Sequence, residues 1–449
     1  MGLDVLKKIK KPIFYVTNDP SRGVGLESIV SNYHVVCLDD HPLVELMQKR
    51  GVSVFCLEKE MGRKNLMFRS SAEILGHPQV LSFIKEKSKG QIPNIIFFKP
   101  QKKLEIIAQK NNFKLIGNSS LLNKVFEDKI NFHKIASREN LPILPAEIDF
   151  LRNLDFNTCL GKFGLPFVIQ FGFGWAGNST FFISDEKHFS EIQKKFGRIK
   201  VKVNRFIKGI TVLNNALVLP EEILQSPPAV QIESNPFLTS MPGGTGGRQW
   251  PAGLPDDQRY QIKQITEHVG ELMRKSGYLG YFGLDFLIDG QSNDVFLSEN
   301  NARLTASASF YTLLELKNGQ IPLLAYHLIV FLDQNLLKNF NPKEKTSKVS
   351  GSEIVGRNIF SNPIKIAQSL PAGVYDKDMR YKRESYFLDG VKKGEFWLNA
   401  AGEGRIVNPE IEMFKINTLE KVCDSKGELS DCFANTVKKV RSKIKIKNA

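Results

Sequence analysis

Phe282-Gly-Leu-Asp285-Phe-Leu-Ile288, the turn Asp289-Gly-Gln-Ser-Asn-Asp294 and the return Val295-Phe-Leu-Ser-Glu299-Asn-Asn301-Ala-Arg303 together decide how this chain is read. Apolar and β-branched runs flanking a polar, glycine-containing turn predict a β-hairpin. With the turn centred on Ser292, Asp285 falls opposite Glu299, and directly paired residues project from one face with Cβ atoms about 5 Å apart. A period of two brings Asn301 and Arg303 to the same face. Asp285 stands among Leu284, Phe286, Leu287 and Ile288, where an acid is costly unless paired or metal-bound. Facing carboxylates repel unless a cation lies between them. Mg²⁺ takes hard oxygen ligands, usually one or two carboxylates supplemented by nucleotide phosphates. Asp285, Glu299 and Asn301 are therefore candidate metal ligands, and the Arg303 guanidinium suits a phosphoryl group. The plain alternative is a surface hairpin with ordinary charges.

Working outward, Gly172-Phe-Gly174-Trp-Ala-Gly177 matches G-x-G-x-x-G by letter. A dinucleotide fingerprint must lead from strand to helix. Here Leu165–Gln170 precedes the glycines and Ser179–Ile183 follows, both strand-like, so the loop is the tip of a hairpin. Such a loop can lie over phosphates because no side chains keep its amides away. Upstream, Lys129–Ala136 has helical spacing, with Asp128 or a neighbour as cap, and it stops before Leu141-Pro142. Downstream, the strand Ile199–Asn204 leads to Arg205-Phe-Ile-Lys-Gly209. The glycine- and proline-rich stretch Asn235–Pro255 is the longest loop candidate, followed by an amphipathic helix over Asp256–Ser276. Arg248 on that loop is either a clamp for a substrate carboxylate or a solvated side chain.

Residues 12–118 alternate short apolar runs (Ile13–Thr17, His34–Leu38, Ser53–Leu57, Asn94–Phe98, Phe113–Ile116) with helical stretches at Leu43–Arg50 and Gln101–Asn112. That alternation indicates a parallel α/β sheet covered on both faces. Asp19-Pro-Ser-Arg-Gly23 follows its first strand, where such folds bind ligands. A plain turn explains it as well.

The 449 residues suffice for two or three domains, and 42% hydrophobic with 24% charged residues is ordinary for a globular enzyme. The five cysteines are scattered and read as reduced thiols of a cytoplasmic protein. The apolar run Ile321–Leu332, which contains His327, is too short for a membrane span and reads as a buried helix around a satisfied core histidine. Much of the net charge of +15 lies between Lys438 and Lys447. It reads as a solvated terminal helix and frayed tail rather than a polyanion contact, and no aromatic-interleaved nucleic-acid motif is visible.

Taken together, these segments resemble the ATP-grasp enzymes, among them biotin carboxylase and D-alanine–D-alanine ligase. The hairpin ending Glu299-Asn-Asn301-Ala-Arg303 resembles the family's acid…E-x-N-x-R signature. Glu127-Asp-Lys129 resembles its D-K helix start, Leu165–Gln170 with the glycine loop its G-x-P-V-V-x-K-P segment, and Val203-Asn-Arg-Phe-Ile-Lys-Gly209 its E-x-(F/Y)-I-x-G segment past adenine. Two departures remove charge: Gln170 stands where the family has a phosphate-binding lysine, and Asn204 where it has an acid. Phosphate positioning could then rely on Lys129, Lys162, Lys202 or loop amides.

The resemblance implies an N-terminal parallel α/β domain (1–120) and an ATP-grasp domain (121–345) of two α+β lobes clasping ATP, a small one over about 125–203 and a large one over about 204–345. A small mixed C-terminal region with a basic terminal helix (346–449) follows. It implies ATP and one or two Mg²⁺ ions as cofactors, and small-molecule carboxylate and amine substrates joined through an acyl phosphate. Nucleotide contacts would come from Lys129, Gln170, Gly172, Gly174, Gly177, Asn204, Arg205, Phe206 and Ile207. The metal would sit on Asp285, Glu299 and Asn301, with Arg303 and Arg248 as catalytic or substrate-binding groups. Many relatives are dimers, so a homodimer is a possible assembly. Two other readings are a biotin-carboxylase-type subunit using bicarbonate and a non-catalytic ATP-binding regulator. In the first, biotin would arrive on another protein, because the chain has no Met-Lys-Met triplet.

Overall fold

The computed structural model describes residues 2–68, 70–174, 179–340 and 349–449. Ile13–Thr17, Tyr33–Cys37, Ser53–Cys56, Asn94–Phe97 and Lys114–Ile116 form an all-parallel sheet, in the order third, second, first, fourth, fifth. Each lies within one residue of its expected bounds. Alternate side chains of these strands enter different cores: Phe14, Val16 and Val36 one, Ile13, Tyr15 and Val35 the other. That two-sided burial explains the unbroken apolar runs. Strand order reverses between Ile13–Thr17 and Asn94–Phe97. At that switch point, Asp19–Gly23 and Phe98 emerge side by side at the strand ends.

Ala146–Phe150, Lys200–Arg205, Phe167–Phe171 and Thr180–Ile183 form a four-stranded antiparallel sheet in that order. Phe167, Ile169, Val201 and Val203 face a core shared with the helices Phe156–Phe163 and Glu186–Phe196. Strand period two therefore turns Val168, Gln170, Lys202 and Asn204 to the opposite face, which lines a cleft.

The other wall of the cleft is one eleven-stranded sheet. Its path runs Val295–Asn301, Gly280–Asp289, Gly209–Val218, Ala229–Glu233, Thr245–Trp250, Gly351–Arg357, Glu412–Thr418 and Glu395–Ala400, ending in Gly373–Asp376 and Tyr381–Arg383. Two expectations change here. Thr245–Trp250 is a buried central strand and not part of a long loop. Its glycines permit close approach: a Cβ on Gly246 would meet Leu238 at 2.7 Å, and one on Gly247 would meet the Glu353 carbonyl oxygen at 2.2 Å. Residues beyond 351 also pair directly with Thr245–Trp250, so the C-terminal segment completes this sheet.

The helix Asp431–Lys443 buries Phe433, Val437 and Val440 and leaves Lys438, Lys439 and Lys443 exposed, while Arg441 turns inward and donates to the Phe237 and Arg357 carbonyls. The tail after it is not frayed: Lys445–Asn448 pairs with Ile364–Gln368 as a strand. Leu323–Leu332 is a buried helix. In it His327 accepts a hydrogen bond from the Tyr281 amide at 3.0 Å, and burial pushes its imidazole down to about 4. Among the described residues, no helix is long and apolar enough to cross a membrane.

Candidate functional site

The two sheets enclose a cleft of about 1130 Å³. On its floor Asp285 pairs directly with Glu299, as the turn-centred count expects, but for an added reason. Nearer the turn the register is Ile288↔Val295, Leu287↔Phe296 and Phe286↔Leu297, which continued unbroken would set Asp285 against Ser298. A bulge at Ser298 advances the return strand by one residue and delivers Glu299 instead. The Asn301 amide donates to Asp285 at 3.0 Å, and Gln231 donates to the other Asp285 oxygen at 3.0 Å. Arg303 donates to Asn301 Oδ1 at 2.9 Å and to Glu127 at 3.0 Å. Burial, and then the charge of Glu299, push the Asp285 carboxyl well above its ordinary range. A carboxylate in that state gains most from a neighbouring cation.

Among the described residues there is no cluster of three His, Cys, Asp or Glu side chains able to hold a metal. The donor set is instead two facing carboxylates and an amide oxygen. That suits Mg²⁺, which takes one or two carboxylates and completes its shell with water and phosphate. The Lys129 ammonium forms an ion pair with Glu299.

Lys129 opens the helix Lys129–Arg138, capped by Asp128, whose carboxylate accepts from the Ile130 and Asn131 amides. The glycine loop is tied to this helix start. The Lys129 amide donates to the Gly172 carbonyl at 2.9 Å, and a Cβ on Gly172 would meet the Asp128 carboxylate at 2.6 Å. Gly174 lines the cleft, whereas Gly177 lies outside the described residues.

Gln170 faces the cleft and is the direct cross-strand partner of Lys202. Lys202 is 7% exposed and makes no hydrogen bond or ion pair among the described residues. Burial, and then the charge of Lys129, push its ammonium down to about 8. Lys162, by contrast, is an exposed residue bound to Glu147 at 2.6 Å and takes no part in the lining. Asn204 is buried, with an Oδ1 that has no hydrogen-bond donor. Arg205 pairs with Asp289 at 3.3 Å, and Phe206 and Ile207 complete this end of the cleft.

The cleft continues past Arg303 to a second end. Arg248 lines it from Thr245–Trp250 and is 7% exposed, so it is neither solvated nor on a loop. Sequence reasoning passed over its neighbours. Glu353 is the cross-strand partner of Arg248. Lys415 binds Asp19 at 2.7 Å, Ser21 at 2.8 Å and Glu412 at 2.9 Å, joining the last third of the chain to the loop after the first strand. Burial alone would raise the Asp19 and Glu412 carboxyls, but the surrounding cations, Lys415 foremost, hold both below their ordinary range. The signal that singled out Asp285, a charge inside an apolar strand, is also present in Ser352-Glu353-Ile354-Val355 and Met413-Phe414-Lys415-Ile416.

No family model matches the sequence, nor does any curated protein. Solved structures do match over nearly the whole chain. The biotin carboxylase domain of Hydrogenobacter thermophilus 2-oxoglutarate carboxylase, solved with MgADP, ADP and bicarbonate, is 13% identical. That match covers 98% of this chain and 91% of that one, with a TM-score of 0.61. The N5-carboxyaminoimidazole ribonucleotide synthetase of Thermotoga maritima is 12% identical over 98% of this chain and 100% of its own, at 0.56. The phosphoribosylamine–glycine ligase of the same organism is 12% identical over 97% and 98%, at 0.57. A parallel α/β sheet at the N-terminus, a small antiparallel lobe and a large antiparallel sheet closing on a common cleft are thus shared with these enzymes, and the fold of this chain is the ATP-grasp fold.

Proposed function

We propose that the chain is an ATP- and Mg²⁺-dependent ligase that activates a substrate carboxylate as an acyl phosphate and passes it to an amine. The observation that carries this reading is the pairing of Asp285 with Glu299 on the cleft floor, faced by Lys129 and Lys202 from the opposite lobe. In the first step a carboxylate oxygen of the substrate attacks the γ-phosphorus of ATP. The bond from that phosphorus to the bridging oxygen breaks, and ADP departs with the electron pair. In the second step an amine attacks the acyl carbon, the carbon–oxygen bond to phosphate breaks, and the nitrogen loses a proton. Asp285, Glu299 and Asn301 would hold Mg²⁺, which would supply positive charge to the phosphates.

The remaining work falls to this chain's own side chains. Lys129 and Lys202 neutralise the phosphates from the small-lobe side, and Lys202 fills the role vacated at Gln170. The orphaned Asn204 oxygen accepts from the adenine amino group, beside Arg205, Phe206 and Ile207. Gly172 and Gly174 belong to the lid that keeps water from the acyl phosphate. Arg303 steadies the phosphoryl group, and Arg248 binds the substrate carboxylate. Residues 121–345 carry the nucleotide machinery, 1–120 precede it, and 346–449 finish the substrate end.

The test is ADP and phosphate release with Mg²⁺–ATP across a panel of carboxylic acids, with and without amines, bicarbonate included. Release that depends on a carboxylic acid supports the ligase reading. Release with bicarbonate alone would move the reading to the carboxylase type. Tight ADP binding with no release from any acid would leave a nucleotide-binding regulator.

A further inference from the structure

Arg248 and Glu353 sit opposite each other on neighbouring strands, both buried and both lining the cleft, yet they do not satisfy one another. Their closest nitrogen–oxygen distance is 4.0 Å. Arg248 Nε is buried with no hydrogen-bond partner, and the Glu353 side chain, 9% exposed, lines the cleft beside it. The buried, unmet guanidinium N–H costs free energy unless a ligand completes it, and the Glu353 carboxylate beside it opens onto the cleft where that ligand would lie. Arg22 reaches the same end of the cleft from the first α/β sheet and also keeps a buried N–H without a partner.

The charges here are already balanced. Arg22, Arg248 and Lys415 stand against Asp19, Glu353 and Glu412. A ligand carrying net charge would upset that balance in a poorly solvated space, whereas one with a cation beside an anion would not. Cross-strand partners have Cβ atoms about 5 Å apart, a spacing at which one compact ligand can meet both side chains.

Resting on the ligase reading above, the geometry points to an α-amino acid as the carboxylate substrate, its carboxylate on Arg248 and its ammonium on Glu353. The sheet gives this clamp its direction. Gln231 pairs with Arg248 across the strands and donates to Asp285, so Arg248 lies on the metal-hairpin side and Glu353 on the far side. The carboxylate is thereby turned toward the γ-phosphate and the ammonium away from it. This protects the substrate's own amine from becoming the attacking nucleophile.

The test uses the full chain with Mg²⁺–ATP and hydroxylamine, which attacks an acyl phosphate through nitrogen, displaces phosphate, loses a proton and leaves a hydroxamate that ferric chloride, added after quenching, turns into a coloured complex. Each standard α-amino acid is compared with its des-amino counterpart, for example alanine with propionate and glutamate with glutarate. The expected result is hydroxamate from at least one amino acid, with kcat/KM lower by about 100-fold or more for its counterpart, because the buried Glu353 would be left unpaired. In Glu353→Gln that ratio should shrink to less than about tenfold. The wild-type comparison needs no variant, so it stands even if Glu353→Gln folds poorly. Hydroxamate from amino and des-amino acids alike, or from des-amino acids alone, would overturn the clamp and leave the ligase reading intact. No hydroxamate and no ADP release from any acid would overturn both.

Discussion

Raising the pH should loosen nucleotide binding through Lys202. In the free protein its ammonium is pushed down to about 8 by burial and by Lys129. A bound diphosphate supplies the missing counter-charge and should return it toward the ordinary value of about 10.4. The bound state then holds a proton that the free state has lost, so affinity falls as pH rises through about 8. At about pH 9.5 only about 3% of the free protein carries that proton, against about three-quarters at about pH 7.5, so ADP should bind roughly 20-fold more weakly. ADP phosphates are already ionised across this range. Calorimetric titration of ADP at constant ionic strength measures the slope directly. Lys202→Gln should bind about 10- to 100-fold more weakly at neutral pH, through loss of a charge-assisted hydrogen bond, and should show no slope. A flat wild-type profile, or the same slope in Lys202→Gln, would refute the assignment of Lys202 to the phosphates.

Exchanging the cross-strand pair, Gln170→Lys together with Lys202→Gln, should recover most of the ADP affinity lost in Lys202→Gln, because both side chains leave the same face of the same sheet. Failure of that rescue would place position 170 away from the phosphates. Asp285→Asn should cut ATP turnover about 100- to 1,000-fold. Its melting temperature should not fall, because the substitution relieves repulsion with Glu299. Lys415→Met should lower unfolding free energy by about 1–3 kcal/mol by leaving the half-buried Asp19 and Glu412 with Arg22 as their remaining cation, which chemical denaturation will read. Gly247→Ala should prevent normal folding or lower the melting temperature strongly, because its φ is +146° and its Cβ would strike the Glu353 carbonyl.

Where local pattern carries the information, the sequence is a sufficient guide. The parallel strands announce themselves as β-branched runs buried on both faces, and Asp285 as an acid with no business in an apolar strand. The Ser298 bulge has no such mark, since inserting a residue changes pairing without altering composition. Thr245–Trp250 reads as a loop because its glycines answer to Leu238 and Glu353, neighbours that only the folded chain supplies. Glu353 and Lys415 sit in short strands whose partners lie far away in sequence, so no window of residues relates them to the hairpin at 285–301. Lys202 becomes visible only once the register Gln170↔Lys202 is known.

Because Gly351–Arg357 is hydrogen-bonded between Thr245–Trp250 and Glu412–Thr418, residues 121–345 cannot be excised as a unit by cutting the chain near 345. Such a fragment would expose the backbone of Thr245–Trp250 along an apolar, glycine-rich border, an invitation to intermolecular strand addition. On the ribosome the same border stays open until Gly351–Arg357 emerges, so a newly made chain depends on that strand to cover it.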